Sequence, residues 1–236
     1  DAFAAQVNRV DVFVFDKEGT FIMKKSEQGE TLGSGSYRMP LPLPVGEYRI
    51  AAWAGVSDDF EMPELVARKS TLEDLMVRMK RKESLVHNKA LNPLWYGEVK
   101  TVDFTGRQEQ TEMVSLIKDT NKFRFILQKS GLGEELDMSD CLFEIHADNG
   151  YYDWNNDLLD DDVISYQPYH LEKVEDVGIV AEMNTMRLLE HKKVYLTLTR
   201  KSDSKELMKV DLIPYLLLTK MEGHNIRSEE HTSELQ

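Results

Sequence analysis

The sequence predicts a mainly β protein with two tandem β-sandwich domains and one short helix in the first domain. Three stretches support this prediction, at residues 7–15, 41–53 and 194–212. In each of them apolar and polar side chains alternate, as in a strand that has one packed face and one solvated face. Residues that favour turns lie beside these stretches and predict short antiparallel connections.

The composition is that of a globular chain. Of the 236 residues, 41% are hydrophobic and 30% are charged, and the formal net charge is −13. This length allows one large domain or two of ordinary size. The acidic balance argues against a nucleic-acid partner, because phosphate backbones bind clusters of Lys and Arg. The sequence has no apolar run of bilayer-spanning length and no signal peptide.

Strand patterns fill most of the first half of the chain. A hairpin is predicted where the turn at residues 16–19 joins the first two strands. A glycine-rich loop is expected at residues 26–36. The predicted strands of this half cover residues 7–15, 20–24, 37–43, 47–53, 94–104 and 113–118.

The strand that follows Pro44 and Gly46 is expected to have one packed and one solvated face. Proline fixes φ and glycine tolerates positive φ, which favours a turn directly before the alternating run. The side chains predicted to pack are Tyr48, Ile50 and Ala52. The side chains predicted to face water are Glu47, Arg49 and Ala51.

The short helix is predicted over residues 70–79. Ser70 or Thr71 can cap its first turn, in which Glu73 and Asp74 favour the helix dipole. The apolar positions follow the i, i+3, i+4, i+7 spacing of an amphipathic helix and are Leu72, Leu75, Met76 and Met79. We expect this helix to cover one edge or end of a sheet.

A domain boundary is predicted near Asp119, because polar turn residues interrupt two strand patterns there. An internal echo supports it, since residues 12–19 and 143–150 are each an apolar strand that runs into an Asp-to-Gly turn. The predicted domains are residues 1–119 and 120–226. The strands expected in the second domain cover residues 123–128, 177–189, 194–200 and 206–212.

The sequence offers no catalytic constellation, so the chain is predicted not to be an enzyme and to bind no cofactor. It lacks glycine-rich phosphate-binding motifs and a nucleophile elbow, and its six histidines lack the spacing of a zinc site. Cys141 cannot form an internal disulfide and is predicted to be a small buried side chain. Carboxylate pairs for glycoside hydrolysis stay open, because folding sets their separation.

One acidic loop contains the best metal candidate. The oxygens of Asp153, Asn155 and Asp157 stand at alternate positions, as at the start of a calcium loop. Leu158 stands where the turn glycine belongs, and Ile164 where the bidentate glutamate belongs. A solvated turn is therefore the favoured interpretation and calcium the weaker alternative, since Asp and Asn favour turns.

Trp154, in the same loop, is the candidate contact for a ligand. An exposed tryptophan can stack on a sugar ring. Trp53 and Trp95 instead lie within strand patterns and are predicted to be core residues. Sugar binding through Trp154 is therefore an alternative function.

Several short motifs occur in a defined order along the chain. They are Asp1-Ala2-Phe3, residues 10–19, residues 43–48 with Trp53, Leu94-Trp95-Tyr96-Gly97, Asp119-Thr120-Asn121 and Met186-Arg187-Leu188. Their order and spacing resemble the fimbrillin-associated anchor and minor-subunit family of Bacteroidales-type (type V) fimbriae. The resemblance runs over nearly the whole chain, to about Met221.

The resemblance implies two transthyretin-like β-sandwich domains in a lipoprotein of the outer membrane and cell surface. Members of this family anchor the fimbrial shaft, end its growth or act as accessory subunits, and they bind by strand addition. A sheet edge with unpaired N–H and C=O groups can accept an extended segment in this way. The expected partners are fimbrial shaft or accessory subunits, and no catalytic residue is carried over.

Both ends of the chain depart from the family pattern. The lipid-bearing cysteine and the first strand are expected upstream of Asp1, so anchoring in the outer membrane is an inference from the resemblance. Residues 227–236 are interpreted as the translation of a sequencing-library adapter, which predicts an incomplete second domain. The sequence therefore predicts a non-catalytic fimbrial anchor or accessory subunit. The alternatives are a sugar-binding tip adhesin and a carbohydrate-active accessory domain.

Overall fold

The computed structural model describes residues 7–34, 37–81, 84–128, 136–218 and 226–227, and it confirms a mainly β fold. This part of the chain contains one short α-helix, α1 (Leu212–Leu218). The strands are β1 (Arg9–Asp16), β2 (Phe21–Gln28), β3 (Gly46–Ala54), β4 (Phe60–Glu61), β5 (Val77–Met79), β6 (Val86–His87), β7 (Trp95–Phe104), β8 (Leu116–Lys118), β9 (Thr120–Leu127), β10 (Cys141–Ala147), β11 (Tyr151–Tyr152), β12 (Ile164–Tyr166), β13 (His170–Val174), β14 (Gly178–Met186), β15 (Leu188–Leu189), β16 (Tyr195–Arg200), β17 (Lys205–Asp211) and β18 (Ile226–Arg227). Of the ten residues interpreted as an adapter translation, 228–236 lie outside the described residues.

The chain forms two compact units. Unit 1 contains Asp1–Lys80, Asn92–Asp119 and Tyr151–Leu159, and unit 2 contains Arg81–Leu91, Thr120–Gly150 and Asp160–Gln236. The main change from one unit to the other falls directly after Asp119. The units differ from two continuous domains in two segments, since residues 81–91 belong to unit 2 and residues 151–159 to unit 1.

Unit 1 contains two antiparallel sheets. The larger has the strand order β2-β1-β3-β7-β8, and the smaller has the order β11-β5-β4. The predicted hairpin is confirmed, because β1 pairs with β2 across a turn in which the Asp16 N–H donates to the Thr20 carbonyl (2.9 Å). Gly19 has a φ of 86° in this turn, a conformation that glycine adopts without strain.

The strand β3 is buried on both faces, which corrects the prediction of a solvated face. Ile50 and Ala52 lie on the predicted packed face and are 8% and 4% exposed. On the opposite face, Ala51 is 1% exposed and Trp53 is fully buried. Glu47, near the start of the strand, is exposed. The second half of β3 is thus an apolar run, as is typical of a strand covered on both faces.

The helix predicted over residues 70–79 is reduced to one 3-10 turn. Thr71 stands at the predicted N-cap position, and its backbone N–H donates to Asp74 Oδ2 (2.8 Å), as in a capping box. The turn itself is Leu72–Asp74, after which Leu75 is extended and the chain continues into β5. Of the apolar residues that fit a helical spacing, Leu75 and Met79 also fit the alternation of a short strand, and both are buried as Val77 is.

Unit 2 contains a five-stranded sheet with the order β17-β16-β10-β12-β6. Its neighbouring strands are antiparallel except for the parallel pair β12 and β6. A second, antiparallel sheet has the order β13-β14-β9, and β15 pairs with β18 in parallel. The buried face of the five-stranded sheet includes Phe143, Ile145, Tyr166 and Leu198, each at most 1% exposed.

A buried polar network holds the strand ends of unit 2. The Asn149 side-chain amide donates to the carbonyls of Met186 (3.1 Å) and Arg187 (2.9 Å), and the Tyr166 hydroxyl donates to Asn149 Oδ1 (2.6 Å). The Asn121 amide also donates to the Met186 carbonyl (3.2 Å). Burial raises the pKa of Tyr166, which keeps its hydroxyl a hydrogen-bond donor. These bonds satisfy polar groups that water cannot reach.

Candidate functional site

The larger sheet of unit 1 has an open edge along β7. This strand has ten residues, but β8 pairs with only three of them, Trp95, Tyr96 and Gly97. Of the other seven, residues 100–104 pair with β3 on one side, residues 98 and 99 lie at a register shift, and none pairs with another strand of the described chain. Such an edge presents unpaired backbone N–H and C=O groups in the plane of the sheet.

The edge is open because the segment before β8 lies on the face of the sheet at Val114 and joins the edge only at Leu116. The Val114 side chain lies over Gly97, where an added Cβ would be 2.8 Å from Val114 Cγ1 and 3.0 Å from Ala52. Val114 therefore packs on the apolar cluster of the sheet rather than beside β7. Any residue larger than glycine at position 97 would push this segment away.

The face beneath is covered by the proline strap, residues 37–45, which corrects the strand predicted over residues 37–43. Met39 and Leu41 pack against the apolar cluster formed by Val12, Ile50, Ala52 and Val102. Pro40, Pro42 and Pro44 are exposed. Proline has no backbone N–H, so the strap covers the sheet without joining its hydrogen-bond ladder.

Two hydrogen bonds fix the proline strap to the sheet. The Tyr48 hydroxyl donates to the Pro44 carbonyl at 2.7 Å, and the Lys25 ammonium donates to the Pro40 carbonyl at 2.5 Å. Tyr48 and Lys25 belong to β3 and β2, so the strap crosses both strands. The covered face is consequently unavailable for a partner while these contacts persist.

A buried carboxylate supports β1 on the opposite face of the same sheet. Asp11 is fully buried, and its oxygens accept hydrogen bonds from Arg9 (2.9 and 3.0 Å) and from the Ser26 hydroxyl (2.5 Å). Lys24 adds an ion pair at 3.1 Å. Burial alone would raise the pKa of Asp11, but these bonds and charges outweigh it and hold the pKa below its ordinary value.

In unit 2, the five-stranded sheet has one buried face and one open polar face. Glu144 of β10 lies near the middle of this polar face, with a side chain that is 18% exposed. Its Oε2 accepts hydrogen bonds from the Ser165 hydroxyl (2.6 Å) and the Gln167 amide (3.3 Å), and His146 Nε2 lies 3.5 Å away. The four side chains come from β10, from β12 and from the residue directly after β12.

These residue types do not form a nucleophilic triad. In a triad the serine hydroxyl donates to histidine, which is oriented by the acid. Here the Ser165 hydroxyl donates to Glu144 instead, and Glu144 stands between Ser165 and His146. The arrangement can bind polar groups, but it does not activate the serine.

The loop singled out by the sequence is an ordered turn. Asp153 Oδ1 accepts the backbone N–H groups of Asn155 (2.8 Å) and Asp157 (2.9 Å), and Asn156 has a φ of 65°. Trp154 lies in this turn and is half-buried. One Asp153 oxygen is thus engaged by backbone donors, as in an aspartate turn. The roles suggested for Trp154 and for these oxygens stay predictions.

The structure places the remaining predicted residues in the core or on separate surfaces. Trp53 and Trp95 are buried, as predicted, and so is Cys141. Burial raises the pKa of the Cys141 thiol, which disfavours a reactive thiolate. Among the described residues no cluster of three or more His, Cys, Asp or Glu side chains forms a metal site. In the same part of the chain, no helix is long and apolar enough to cross a membrane.

Sequence reasoning missed both the open edge and the polar face. The signal for the polar face was alternation, because Glu144 and His146 are two residues apart, as are Ser165 and Gln167. Two such pairs on separate strands do not indicate a site unless the strand register places them side by side. The register aligns His146 with Ser165, and this alignment brings the pairs together.

Comparison with known proteins identifies the family. The family model of the fimbrillin-A associated anchor proteins Mfa1 and Mfa2 matches residues 1–234. The chain therefore belongs to this family of fimbrial anchor proteins.

Two solved structures from Bacteroides species are similar over most of the chain. A Bacteroides thetaiotaomicron protein proposed to bind polysaccharide is 44% identical, with a TM-score of 0.89, and the match covers 96% of this chain and 80% of the other. A proposed adhesin from Bacteroides ovatus is 30% identical, with a TM-score of 0.82, and the match covers 92% and 74%.

A fimbrial anchoring subunit is a more distant relative. The minor fimbrium anchoring subunit Mfa2 of Porphyromonas gingivalis is 22% identical over 223 residues, which are 92% of this chain and 66% of that protein. Its solved structure has a TM-score of 0.73 to this chain at 20% identity, with coverage of 95% and 80%, which demonstrates a shared fold. The chain thus spans about two thirds of the length of that relative.

Proposed function

We propose that this chain is a non-catalytic fimbrial anchor or accessory subunit that docks a fimbrial subunit by strand addition along β7. The observation that carries the proposal is the open edge of β7 at residues 98–104. Membership of the fimbrial anchor family supplies the class of partner, namely a fimbrial shaft or accessory subunit. The relative Mfa2 is itself named a fimbrium anchoring subunit.

The geometry of the edge suits an added strand. Seven residues of strand extend over roughly 23 Å, which is the length of an ordinary strand in a globular sheet. An added strand would place alternate side chains beside Val102, which is 7% exposed and belongs to the apolar cluster of the sheet. Backbone hydrogen bonds would supply affinity, and these alternate side chains would supply specificity.

The proline strap directs an incoming segment to this edge. Its three prolines remove three backbone donors, so the strap itself cannot extend a sheet. Since the strap covers the face but not the edge, residues 98–104 remain accessible in the described chain.

A pair of proline substitutions tests the docking edge. Adjacent N–H groups of a strand point to opposite sides. Of the two variants Lys100→Pro and Thr101→Pro, one therefore removes a donor at the outer edge of the sheet, and the other removes a donor to β3. The variant altered at the outer edge should fold normally and lose binding to purified fimbrial shaft subunits. The other variant is the matched control for a structural effect and should unfold at lower urea concentration. Unchanged binding by the variant that keeps its stability would refute docking along β7.

The membrane attachment belongs to the same proposal. In the full-length protein, a lipidated cysteine upstream of Asp1 would hold the anchor in the outer membrane. Metabolic labelling with a palmitate analogue should label the full-length protein, and replacement of that cysteine by alanine should abolish the label. A full-length protein that fractionates with the outer membrane without any label would contradict lipid anchoring.

Glycan binding is the second candidate function. It is favoured by the relative at 44% identity that is proposed to bind polysaccharide and by the relative at 30% identity proposed as an adhesin. Trp154, half-buried in its turn, remains the contact predicted from the sequence. Binding of the folded chain to a glycan array tests this function, and a blank array for the parent protein would exclude it for this chain.

A further inference from the structure

We infer that the open polar face of the five-stranded sheet of unit 2 binds the hydroxyl groups of an uncharged glycan, with Glu144 as the central acceptor. This inference rests on the second candidate function and assigns it a site. The site is distinct from the turn that contains Trp154, which belongs to unit 1.

The register of the strands arranges polar side chains in two parallel rows. Glu144 is aligned with Thr197, and Thr197 with Lys209, across β10, β16 and β17. In the next row on the same face, His146 is aligned with Ser165. Neighbouring strands are about 4.8 Å apart. This spacing is close to the separation of hydroxyl groups on one sugar ring and its neighbour, so a chain of sugars can contact successive side chains.

The Glu144 carboxylate is held in place with one oxygen left available. All three of its side-chain partners, Ser165, Gln167 and His146, approach Oε2. Within the described part of the chain, Oε1 accepts no hydrogen bond. A second bond, from the Gln167 amide to the Ser165 hydroxyl (3.5 Å), completes a chain of neutral donors. The carboxylate is therefore pre-oriented, which reduces the entropy lost when a ligand hydroxyl donates to Oε1.

The character of the surrounding groups favours a neutral polyhydroxylated ligand. The Glu144 carboxylate is bonded by a hydroxyl and an amide, with one histidine beside it and no Lys or Arg within ion-pair distance among the described residues. Thr197 and Gln167 add groups that can both donate and accept, as sugar hydroxyls do. Lys209, at the far end of the same row, lies over the Tyr195 ring (4.4 Å) and not beside Glu144. An acidic glycan would therefore meet this carboxylate and a chain of net charge −13, both of which repel it.

The polar face of the other sheet in unit 2 provides the contrast. Glu182 of β14 is about as exposed as Glu144, at 20%, but its oxygens face Lys122 (3.7 Å) and Arg124 (3.8 Å). The Tyr169 hydroxyl donates to it at 2.9 Å. Both oxygens of Glu182 are thus engaged by structural partners, and its charge is compensated. This difference singles out Glu144 as the carboxylate with capacity for a ligand.

The test is an array of neutral and acidic oligosaccharides probed with the labelled chain, followed by titration of each neutral hit. We expect binding to neutral glycans only. Glu144→Gln should weaken it about tenfold or more, because one charged hydrogen bond is lost, and Gln167→Ala should weaken it about fivefold. Glu182→Gln is the matched control on the other sheet and should bind as the parent does. Thermal unfolding verifies that each variant is folded.

The outcomes separate the site from the function. If the parent binds no glycan, the second candidate function fails and the site fails with it. If the parent binds but Glu144→Gln and Gln167→Ala bind equally well, the function stands and the site is wrong. Loss of binding in Trp154→Ala alone would place the glycan at the turn of unit 1, and binding restricted to acidic glycans would also overturn the inference.

Discussion

The two five-stranded sheets of this chain differ in how their faces are used. In unit 1, Ile50 and Trp53 point to opposite faces of the same strand and both are buried. In unit 2, Leu196 and Leu198 are buried, whereas Thr197 between them is half-exposed. A sheet covered on both faces can offer a partner only its edges, and a sheet with one open face can also bind a ligand on that face. The difference explains why docking is assigned to unit 1 and glycan binding to unit 2.

The largest expected effect comes from placing a charge on each face of each sheet. Ala51→Asp and Ala52→Asp should each destabilise unit 1 by about 3 kcal/mol or more, because both positions would bury an unpaired carboxylate. Leu196→Asp should be as damaging in unit 2, whereas Thr197→Asp should change stability by about 0.5 kcal/mol at most. Urea unfolding followed by tryptophan fluorescence and circular dichroism measures all four. Tolerance of either alanine substitution would contradict the burial of both faces of the sheet in unit 1.

Removal of the buried Asp11 carboxylate should have the next largest effect. Asp11→Ala should lower the stability of unit 1 by about 2 kcal/mol, somewhat less than for a fully buried ion pair, because Arg9 and Lys24 are one-third exposed or more and can be rehydrated. Ser26→Ala, which removes a single neutral donor, is the control and should cost about 1 kcal/mol. Equal stability of Asp11→Ala and the parent would contradict the role given to this carboxylate.

The same group predicts a dependence of stability on pH. The pKa of Asp11 is lower in the folded chain than in the unfolded chain, so its ionised form stabilises the fold above the unfolded value, about 3.9. This contribution is lost as the pH falls through the folded pKa. The stability difference between the parent and Asp11→Ala should therefore be full at pH 7 and shrink at acidic pH. A stability difference that grows on acidification would contradict a lowered pKa of Asp11 in the folded chain.

The proline strap should show a smaller effect. Tyr48→Phe removes the hydrogen bond to the Pro44 carbonyl and should cost about 1 kcal/mol. Hydrogen exchange should then accelerate at Leu43, whose N–H donates to the Leu41 carbonyl (3.0 Å), while the strands beneath keep their protection. Tyr195→Phe, on the open face of unit 2, is the matched removal of a hydroxyl and should leave exchange in unit 1 unchanged. Unaltered exchange across residues 37–45 in Tyr48→Phe would show that the strap does not depend on this bond.

The sequence predicted the strands better than the connections between them. Alternation located β1, β3, β10 and β16, because the side-chain period of two is a local property. The same rule failed over residues 37–43, where the apolar side chains do alternate but two prolines remove donors that a strand needs. Over residues 70–79, the Thr71 cap was correct, yet the helix ends after one turn because Val77 and Met79 pack as strand residues.

The candidate sites depend on long-range register, which a single sequence does not encode locally. The open edge of β7 arises because Val114 lies over Gly97, a contact between residues 17 positions apart in the chain. The polar face requires Ser165 to align with His146, and Glu144 with Thr197. Each residue alone is an ordinary polar side chain on a strand. The resemblance to the anchor family could be recognised from ordered motifs, whereas the proposed docking and glycan-binding positions could be located only in the fold.

The most direct test of the central claim is hydrogen exchange of the chain with and without a purified fimbrial shaft subunit. Docking by strand addition predicts that amides in residues 98–104 gain protection in the complex, on alternate residues where the N–H groups face the outer edge. The amides of β16 and β10 should keep the exchange rates of the free chain. A stable complex in which residues 98–104 exchange as fast as in the free chain would contradict docking along β7.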